Sequence, residues 1–285
     1  MSSLRNCLAW VGCALFSVGL LLQSVSGATR RDDQPDSLYL NLAAQPAFAA
    51  IGQFSGGLSG SATLIASDWV LTAAHLLVSS SSTFTINGNS YAAVQWFVHP
   101  GWTGDAFNGN DLVLVRLSTP VLDVTPAPLY TESDEFDQMA TFVGYGFTGT
   151  GLTGWSTLDG QKRAFQNVID GSFSSTILLS DFDNPHNPAD NDVGDPMPLL
   201  LEGCVAPGDS GGGVFLSDGT QEYLAGVISF VAGRDGNGNS DYGDVSGFAR
   251  VSEFVPWIYS VVPEPSTAML VLLGGVGGWM RRKRR

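Results

Sequence analysis

Short apolar runs, separated by clusters of glycine, asparagine, serine and proline, recur along the chain between Pro46 and Val262. Runs of this length, bounded by turn-forming residues, are typical of β-strands. The principal runs cover residues 49–54, 61–66, 83–87, 91–99, 111–117, 139–145, 213–216 and 223–231. Together with 35 glycines, this pattern predicts an all-β fold of barrels or sandwiches, not an alternation of strands and helices.

One helix is predicted close to the end of this β-rich region, over residues 252–261. Ser252 is suited to cap its first turn, and Pro256 falls within about that turn, where a missing N–H is tolerated. Apolar residues form one face of this helix, and Pro263 ends it.

Residues 1–28 have the layout of a secretory signal peptide. Arg5 supplies an early positive charge, an apolar run follows over residues 7–22, and small residues close the segment. We expect cleavage just before or just after Ala28. The alternative, a buried N-terminal helix, is disfavoured because charged residues follow at once at 30–33.

Residues 262–285 form a second three-part signal. A Pro-Glu-Pro motif is followed by a mostly apolar stretch over 266–280 and by five basic residues at 281–285. As a helix the apolar stretch would span about 22 Å, short of the roughly 30 Å core of a bilayer. The segment closely resembles the sorting tail of bacterial PEP-CTERM proteins, on which a membrane sorting protease acts. The resemblance implies transient anchoring in the inner membrane before delivery to the cell surface or medium.

Charge and cysteine content limit the partners and the covalent stabilisation of the chain. The net charge is −14 although five of the 13 Lys and Arg residues occupy the last five positions, so the remainder is more acidic still. Such a surface repels nucleic acid and anionic lipid. Cys7 and Cys13 lie within the predicted signal peptide, which leaves Cys204 without a partner for an internal disulfide.

A glycine-rich loop around Ser210 carries the first candidate catalytic group. Residues 207–213 read Pro-Gly-Asp-Ser-Gly-Gly-Gly. Glycines allow a backbone that holds the hydroxyl out and directs N–H groups into one small space. Acyl transfer needs such donors for the oxyanion of the tetrahedral intermediate. The serine also needs a base, because its hydroxyl alone is a weak nucleophile.

Three histidines are the candidate bases: His75, His99 and His186. His75 closes an apolar strand that ends in a turn of small residues, whereas His186 lies in a polar loop. The base needs a carboxylate to fix its tautomer. Asp111 begins an apolar strand, where a carboxylate is buried and must be paired. Asp105 is the competitor, but the glycine and asparagine residues around it indicate solvent.

Together these motifs resemble those of the trypsin-like serine proteases. Residues 69–75 look like the histidine motif of that family, 110–117 like its aspartate motif and 208–212 like its serine motif, in the order that the family has. Gly-Tyr-Gly at 144–146 resembles the opening strand of the second barrel, and residues 250–258 resemble the closing helix.

The resemblance implies a catalytic triad of His75, Asp111 and Ser210, with the N–H groups of Gly208 and Ser210 as the oxyanion hole. His99 then falls in a His-Pro motif that has no catalytic role. The implied fold has two antiparallel six-stranded β-barrels (chymotrypsin-like) with a short C-terminal helix, and the active site lies in the cleft between the barrels.

The domain boundaries follow from this assignment. A signal peptide over 1–28 and a leader or strap over 29–45 precede the protease domain at 46–261. The acidic stretch 131–137 is the candidate linker between its halves. Within the protease domain, the predicted barrels cover about 46–130 and 138–251 and the helix covers 252–261. The sorting tail covers 262–285.

Two usual features of the family are missing. Cysteines usually flank the histidine motif, whereas this chain has Gly60 and Leu76. Each such disulfide stabilises by about 2–4 kcal/mol. The usual Ile-Val-Gly-Gly start is also absent. In the family the amine of that terminus pairs with the aspartate before the serine, here Asp209, and no segment between Ala28 and Phe54 offers an obvious equivalent.

The expected substrate pocket differs from that of trypsin itself. Six residues before Ser210, where trypsin has an aspartate, this chain has Cys204. A neutral thiol does not bind Arg or Lys, so cleavage after basic residues is not expected. Ser229, Phe230 and Val231 align with the Ser-Trp-Gly wall of the family pocket, and Val231 in place of glycine would narrow the entrance. A small buried thiol is favoured over a nucleophile for Cys204, because no glycine-rich loop is centred on it.

One acidic loop has the spacing of a calcium site. Asp235, Asn237, Asn239 and Asp241 place oxygen ligands at alternate positions. The bidentate glutamate expected at loop position twelve is missing, and Ser246 stands there. A structural calcium and a plain solvated loop both stay open, and catalysis requires no cofactor.

The sequence therefore predicts an exported, monomeric serine endopeptidase that acts on protein or peptide substrates through an acyl-enzyme on Ser210. The alternative is a catalytically inactive protease-fold protein that binds a surface or matrix. The complete set of His75, Asp111 and Ser210 favours the enzyme, since an inactive relative usually lacks one member.

Overall fold

The computed structural model describes residues 28–262. The predicted signal peptide up to residue 27 and the tail from residue 263 lie outside this range. Within it, no helix is long and apolar enough to cross a membrane. The elements are, in chain order, β1 (Thr29–Arg30), α1 (Asp36–Ala43), β2 (Ile51–Ser55), β3 (Ser59–Ala66), β4 (Trp69–Thr72), β5 (Thr83–Ile86), β6 (Asn89–Val98), β7 (Val113–Leu117), β8 (Met139–Gly144), β9 (Thr148–Thr150), β10 (Gly154–Thr157), β11 (Arg163–Val168), β12 (Gly171–Ser174), β13 (Ile177–Asp181), β14 (Gly203–Cys204), β15 (Gly213–Ser217), β16 (Glu222–Ala232), β17 (Val245–Arg250) and α2 (Val251–Val261).

Strands β2 to β7 form a closed six-stranded barrel in the order β2-β3-β4-β7-β6-β5. Its neighbouring strands are antiparallel. Alternation along a strand explains why β5 buries Phe84 and Ile86 but leaves Thr83 and Thr85 half-exposed. Apolar side chains of the other strands, such as Leu114, complete the core of this first barrel.

The second half of the chain forms a seven-stranded antiparallel sheet in the order β11-β8-β15-β16-β17-β13-β12. In its core, the ring of Phe142 stacks on Phe165 with centroids 4.7 Å apart and meets Phe248 edge-on at 5.2 Å. The prediction of an all-β fold with two barrels and a short C-terminal helix is confirmed. The second barrel has seven strands, not six, because β12 pairs with β13 at the edge of the sheet.

The C-terminal helix α2 begins at Val251, directly before its predicted start. Its buried apolar side chains join the hydrophobic cluster of the first barrel. Ser252 does not cap this helix. Arg250 occupies the N-cap position, and the hydroxyl of Ser252 donates a hydrogen bond to Glu135 Oε1 at 2.6 Å.

The acidic stretch 131–137 connects the two sheets, but it is not solvated throughout. Glu135 is fully buried. Its carboxylate accepts hydrogen bonds from Arg250 at 2.5 Å and 3.0 Å, in addition to the bond from Ser252. The buried charge pair fixes this connection to the start of α2.

The predicted leader or strap at 29–45 is folded onto the second half. Strand β1 lies between β9 and β14 in a four-stranded sheet of order β10-β9-β1-β14. In α1, Tyr39 is fully buried and its hydroxyl donates to the carbonyl of Glu202 at 2.9 Å. The guanidinium of Arg163, on β11, donates to both oxygens of Asp36 at 2.8 Å and 2.7 Å. This segment contains a helix that the turn-rich pattern did not predict.

Candidate active site

The pairing of β4 with β7 brings together the segments that carry His75 and Asp111. Thr72, at the end of β4, lies opposite Val113, at the start of β7. His75 follows β4 in the short 3₁₀ helix Ala74–Leu76, and Asp111 precedes β7. Because the two strands are antiparallel, the end of one and the start of the other lie at the same edge of the barrel.

Asp111 is a buried carboxylate, 1% exposed, that accepts three hydrogen bonds. His75 donates its backbone N–H to Oδ1 at 2.9 Å, and its Nδ1 lies 2.6 Å from Oδ2. The hydroxyl of Ser229 donates to Oδ2 at 2.5 Å. These bonds offset the cost of burying the charge. Sequence analysis assigned Ser229 to the pocket wall only, and no local pattern signalled its bond to Asp111.

The loop around Ser210 lies against the first barrel. The carbonyl of Ser210 accepts a hydrogen bond from the N–H of Ser61 at 2.8 Å, and the Ser61 hydroxyl donates to the carbonyl of Gly208 at 3.0 Å. Gly208 and Gly211 have φ values of +94° and +81°, which residues with a side chain rarely adopt. A Cβ at Gly211 would lie 2.0 Å from Thr72 Oγ1, so a larger residue does not fit.

The N–H groups of Gly208 and Ser210 donate to no acceptor within residues 28–262, whereas those of Asp209 and Gly211 are both paired. The backbone of the loop therefore presents two unsatisfied donors beside the serine. An oxyanion hole requires donors of this kind.

Asp209 is a second buried carboxylate, held by backbone N–H groups. Its Oδ1 accepts from Gly146 at 2.8 Å, and its Oδ2 accepts from Ala206 at 2.8 Å and from Ala28 at 3.0 Å. Burial raises the pKa of Asp209 to about 6. Sequence analysis found no obvious equivalent of the family's N-terminal motif between Ala28 and Phe54. In the structure, the backbone N–H of Ala28 bonds to Asp209, which no sequence motif indicated.

The competing candidates lie in other surroundings. His99 packs edge-on against two aromatic rings of α2, and burial lowers its pKa. His186 places Nε2 3.0 Å from Oδ1 of Asp32. Asp105 accepts the N–H of Phe107 at the start of a 3₁₀ helix. None of these three residues forms a hydrogen bond with Asp111 or Ser210 within the part of the chain that the structure describes.

The comparison with known families shows the family to which the chain belongs. A family model described as Trypsin matches residues 42–258, which is most of the chain. This chain belongs to the trypsin family. The match includes the segments of His75, Asp111 and Ser210, the closed barrel and the seven-stranded sheet.

Three curated relatives have similar sequences. Complement C1s subcomponent of Sus scrofa is 26% identical over 237 residues, which cover 71% of this chain and 32% of that protein. Vitamin K-dependent protein C of Rattus norvegicus is 27% identical over 231 residues, 72% of this chain and 46% of that protein. The Mus musculus protein C is 26% identical over 231 residues. The chain thus spans less than half the length of the curated relatives it matches.

A cavity of about 190 Å³ opens beside Ser210. The predicted wall residues Ser229, Phe230 and Val231 all line it, together with Val205, Ala206, Pro207, Ser210 and Ile228. The ring of Phe230 lies so close to β17 that a Cβ at Gly247 would meet its Cζ at 2.2 Å. Bulky side chains therefore enclose a small, largely apolar space.

Cys204 does not line this cavity, which differs from its predicted place at the base of the pocket. The side chain is fully buried, and its thiol lies 3.3 Å from Ser246 Oγ and 3.9 Å from the carbonyl oxygen of Asp244. Burial raises the pKa of this thiol. Because β14 pairs with β1, Cys204 lies opposite Thr29 and contributes to packing.

Leu76 packs where disulfide-bonded members of the family carry a cysteine. Leu76 is fully buried, and a Cβ at Gly60 would lie 2.7 Å from Leu76 Cδ1 and from the carbonyl oxygen of Ser210. Burial of a leucine side chain contributes about 1.5–3 kcal/mol. A buried leucine thus stabilises by about as much as one disulfide, about 2–4 kcal/mol.

The predicted calcium loop connects β16 with β17. Asp235 Oδ1 accepts the N–H of Asn237 at 2.8 Å, and Asn239 Nδ2 donates to Asp241 Oδ2 at 2.9 Å. Within residues 28–262, no group of three or more His, Cys, Asp or Glu side chains is placed to hold a metal ion. Calcium binding by this loop stays a prediction.

Proposed function

We propose that the protein is an exported serine endopeptidase that hydrolyses peptide bonds through an acyl-enzyme on Ser210. The observation that carries the proposal is the buried Asp111, which accepts hydrogen bonds from His75 and Ser229. A carboxylate in these surroundings has a clear chemical use, which is to orient and stabilise the imidazole of a general base.

The proposed mechanism follows from the hydrogen bonds of His75. An ionised Asp111 only accepts, so the imidazole donates from Nδ1 and keeps its lone pair on Nε2. Nε2 takes the hydroxyl proton as Ser210 Oγ attacks the substrate carbonyl carbon. Asp111 stabilises the imidazolium, which then protonates the leaving amine. A water molecule then attacks the acyl-enzyme in the same way, with His75 again as the base, and releases the acyl group as the acid product.

The oxyanion of each tetrahedral intermediate would be bound by the N–H groups of Gly208 and Ser210. Both groups lack another acceptor within the described chain, so they are available without the loss of an internal hydrogen bond. Preorganised donors of this kind lower the barrier because no reorganisation is needed when the charge develops.

The small cavity beside Ser210 supports a preference for small apolar side chains immediately before the scissile bond. Its lining carries no charged side chain, and Val231 and Phe230 restrict its volume. In Val231→Gly the removal of the side chain enlarges the space, so we expect the preference to shift towards larger apolar residues. A peptide-library digest measures both profiles, and dominant cleavage after Arg or Lys would contradict the assignment.

Export and release through the two terminal signals complete the proposal. The acidic, protease-like body would reach the outside of a bacterial cell, and a membrane sorting protease would remove the tail near Pro263. Intact mass analysis of the extracellular protein tests this step. Recovery of the protein from the medium with Arg285 still attached would exclude it.

The rival function is an inactive protease-fold protein that binds a surface or matrix. A fluorophosphonate probe separates the two, because it reacts only with a serine activated by its base. We expect labelling of the wild type and of Ser81→Ala, an exposed serine far from the loop in sequence, but not of Ser210→Ala or His75→Ala. An unlabelled wild type that folds normally would favour the binding function.

A further inference from the structure

A large groove lies between the end of α2 and the outside of the first barrel. Its volume is about 1100 Å³, above the roughly 300–1,000 Å³ that is usual for small-molecule pockets. Its walls are residues 65–69, parts of β6 and β7, residues 126–129 and the last turn of α2 with Val262. Within residues 28–262, it shares no lining residue with the cavity beside Ser210. This α2 groove is therefore a surface separate from the candidate active site.

Most side chains that line the α2 groove are apolar. The rings of Trp69 and Phe97 lie with their centroids 5.9 Å apart, and Tyr259 is 48% exposed. Asp68 and Arg116 are the charged members of the lining, and they pair with each other at 3.2 Å between Oδ2 and Nε. Because these charges pair with each other, the groove favours an apolar, uncharged occupant. Apolar surface of this extent in contact with water marks an interaction site.

The chain itself leads out of this groove. Val262, the last residue that the structure describes, lies in its wall and is 7% exposed. Only residues 263–265 separate it from the apolar stretch 266–280, which contains no charged residue. Three residues span at most about 11 Å, even when fully extended. The apolar stretch therefore begins close to the groove.

We propose that the α2 groove is the docking site for the apolar stretch 266–280 of the same chain, which occupies it in water and leaves it for a bilayer. A segment tethered through a few residues has an effective concentration in the millimolar range. A weak intrinsic affinity is then enough to keep the groove occupied. A second copy of the chain lacks this advantage at ordinary protein concentrations.

The length of the stretch explains why both locations are accessible to it. As a helix its residues would span about 22 Å, whereas the core of a bilayer is about 30 Å thick. Docking in the groove removes apolar surface from water without the need to span that thickness. The docked form would prevent chains that have not reached a membrane from associating through their apolar stretches.

Charge complementarity supports the same occupant. Residues 281–285 are five consecutive basic residues, whereas residues 28–262 contain 26 acidic and seven basic side chains. Docking of the stretch keeps these five cations beside the acidic body of the protein, an attraction that salt screens. Anionic lipid would compete for the same cations.

The first test uses the chain from Ala28 to Arg285 with Ser210→Ala, which prevents self-digestion. The photo-crosslinking analogue p-benzoyl-phenylalanine replaces Phe97 in the groove or, as the control, Phe173, which is 64% exposed on β12 and outside the groove lining. In detergent-free buffer we expect the analogue at position 97 to crosslink to residues 266–280 of the same chain, with a yield at least fivefold above that at position 173.

Mass spectrometry of the digested products locates each crosslink. Equal yields at the two positions would overturn the inference. Crosslinks between two chains would also overturn it, since the occupant would then be a second copy. Precipitation of this chain in detergent-free buffer, under conditions where a chain that ends at Val262 stays dispersed, would likewise contradict a docked stretch.

The second test needs no change in the groove itself. Leu272→Asp places a charge within the apolar stretch, and Ser266→Asp places the same charge at its edge as the control. Loss of the occupant uncovers the opposite wall, so we expect amide hydrogen exchange of residues 65–69 to quicken at least tenfold in Leu272→Asp and in the chain that ends at Val262. The Ser266→Asp chain should match the parent. Equal exchange in all four chains would overturn the inference.

Vesicles of phosphatidylcholine and phosphatidylglycerol supply the alternative location. When they bind the chain from Ala28 to Arg285, we expect the crosslink from position 97 to fall at least fivefold and the exchange of residues 65–69 to reach the rate of the chain that ends at Val262. An unchanged crosslink on bound vesicles would overturn the proposed exchange between groove and bilayer. All these chains carry Ser210→Ala, so an inactive wild type together with the expected crosslink would overturn only the proposed function.

Discussion

The first barrel and the second half of the chain differ in the number of ionisable side chains that they bury. In residues 46–130, Asp111 is the one buried ionisable side chain. The second half buries many more, among them Arg163, Asp181, Asp183, Glu202, Asp209, Asp244 and Arg250. The first barrel is held by apolar packing and places its one buried charge at the candidate base, whereas the second half uses buried carboxylates throughout its loops.

The carboxylates of the second half hold the long connection between β13 and β14. Asp181 Oδ2 accepts from the backbone of Asp192 at 2.7 Å and of Val193 at 3.0 Å. Glu202 accepts from the N–H groups of Asp183 and Leu199 at 2.6 Å and 2.5 Å. A connection without regular strands satisfies its backbone in this way. The buried carboxyl groups of this connection therefore serve structure, whereas the one in the first barrel lies beside the proposed catalytic base.

The largest expected effect comes from removing the one buried charge of the first barrel. In Asp111→Asn the side chain keeps its shape but no longer stabilises an imidazolium, so we expect turnover to fall by about 10⁴-fold. Fluorogenic peptide assays measure the loss, with Asp105→Asn as the control on the same loop. A change below tenfold in Asp111→Asn would contradict the different use of charge in the two halves.

The next effect concerns the buried pair of Glu135 and Arg250. In Glu135→Ala the guanidinium loses both of its short hydrogen bonds to this carboxylate, and breaking a buried pair costs about 3–5 kcal/mol of unfolding free energy. Denaturant unfolding measures this loss of unfolding free energy. Glu132→Ala, an exposed glutamate of the same stretch, should change stability by less than about 0.5 kcal/mol. Equal effects of the two substitutions would show that Glu135 has no special structural role.

The residues that sequence analysis identified are those whose surroundings are local. Ser210 stands among glycines that no other fold requirement explains, and Asp111 opens an apolar strand where a lone charge needs a partner. In the structure, the pairing of β4 with β7 brings Asp111 to His75. The order of the apolar runs is compatible with this pairing but does not determine it. The all-β class was predictable for the same reason, since strand length and turn residues are local signals.

The contacts that sequence analysis missed join residues that lie far apart in the chain. Ser229 bonds to Asp111 across 118 positions, Ala28 to Asp209 across 181 and Arg250 to Glu135 across 115. No spacing rule connects such pairs, because their contact depends on the closure of both sheets. The place of Cys204 was missed for a related reason. Its position six residues before Ser210 suggested that Cys204 forms the base of the substrate pocket. The pairing of β14 with β1 buries its side chain elsewhere.

A smaller effect is a pH dependence of stability that arises in the second half. Burial raises the pKa of Glu202 to about 9, far above its ordinary value of about 4.3. The folded state thus holds a proton that the unfolded state releases, so this stabilisation is complete below about pH 4 and is lost as the pH rises towards 9.

We expect the melting temperature of the Ser210→Ala protein to fall between pH 5 and pH 9. The contribution of one such proton is at most about 1.4 kcal/mol per pH unit. Scanning calorimetry should give a flatter profile for Glu202→Gln, whereas the exposed Glu132→Gln should follow the parent protein. A parent profile that rises over this range would refute the assignment of a protonated Glu202.

The smallest expected effect concerns the loop of Asp235 and Asp241. The four predicted ligands are two carboxylates and two amides, and a site with so few charges is expected to bind calcium no more tightly than millimolar extracellular modules do. At 1 mM free calcium such a site stabilises the folded state by about 0.4 kcal/mol. Calorimetry of the Ser210→Ala protein should therefore show a small upward shift with calcium, absent in Asp235→Asn and Asp241→Asn and retained in Asp218→Asn, an aspartate of another turn. If both loop variants showed the same shift in melting temperature as the parent protein, calcium would bind elsewhere. If the parent protein showed no shift at 10 mM calcium, the loop would be a solvated loop that binds no calcium.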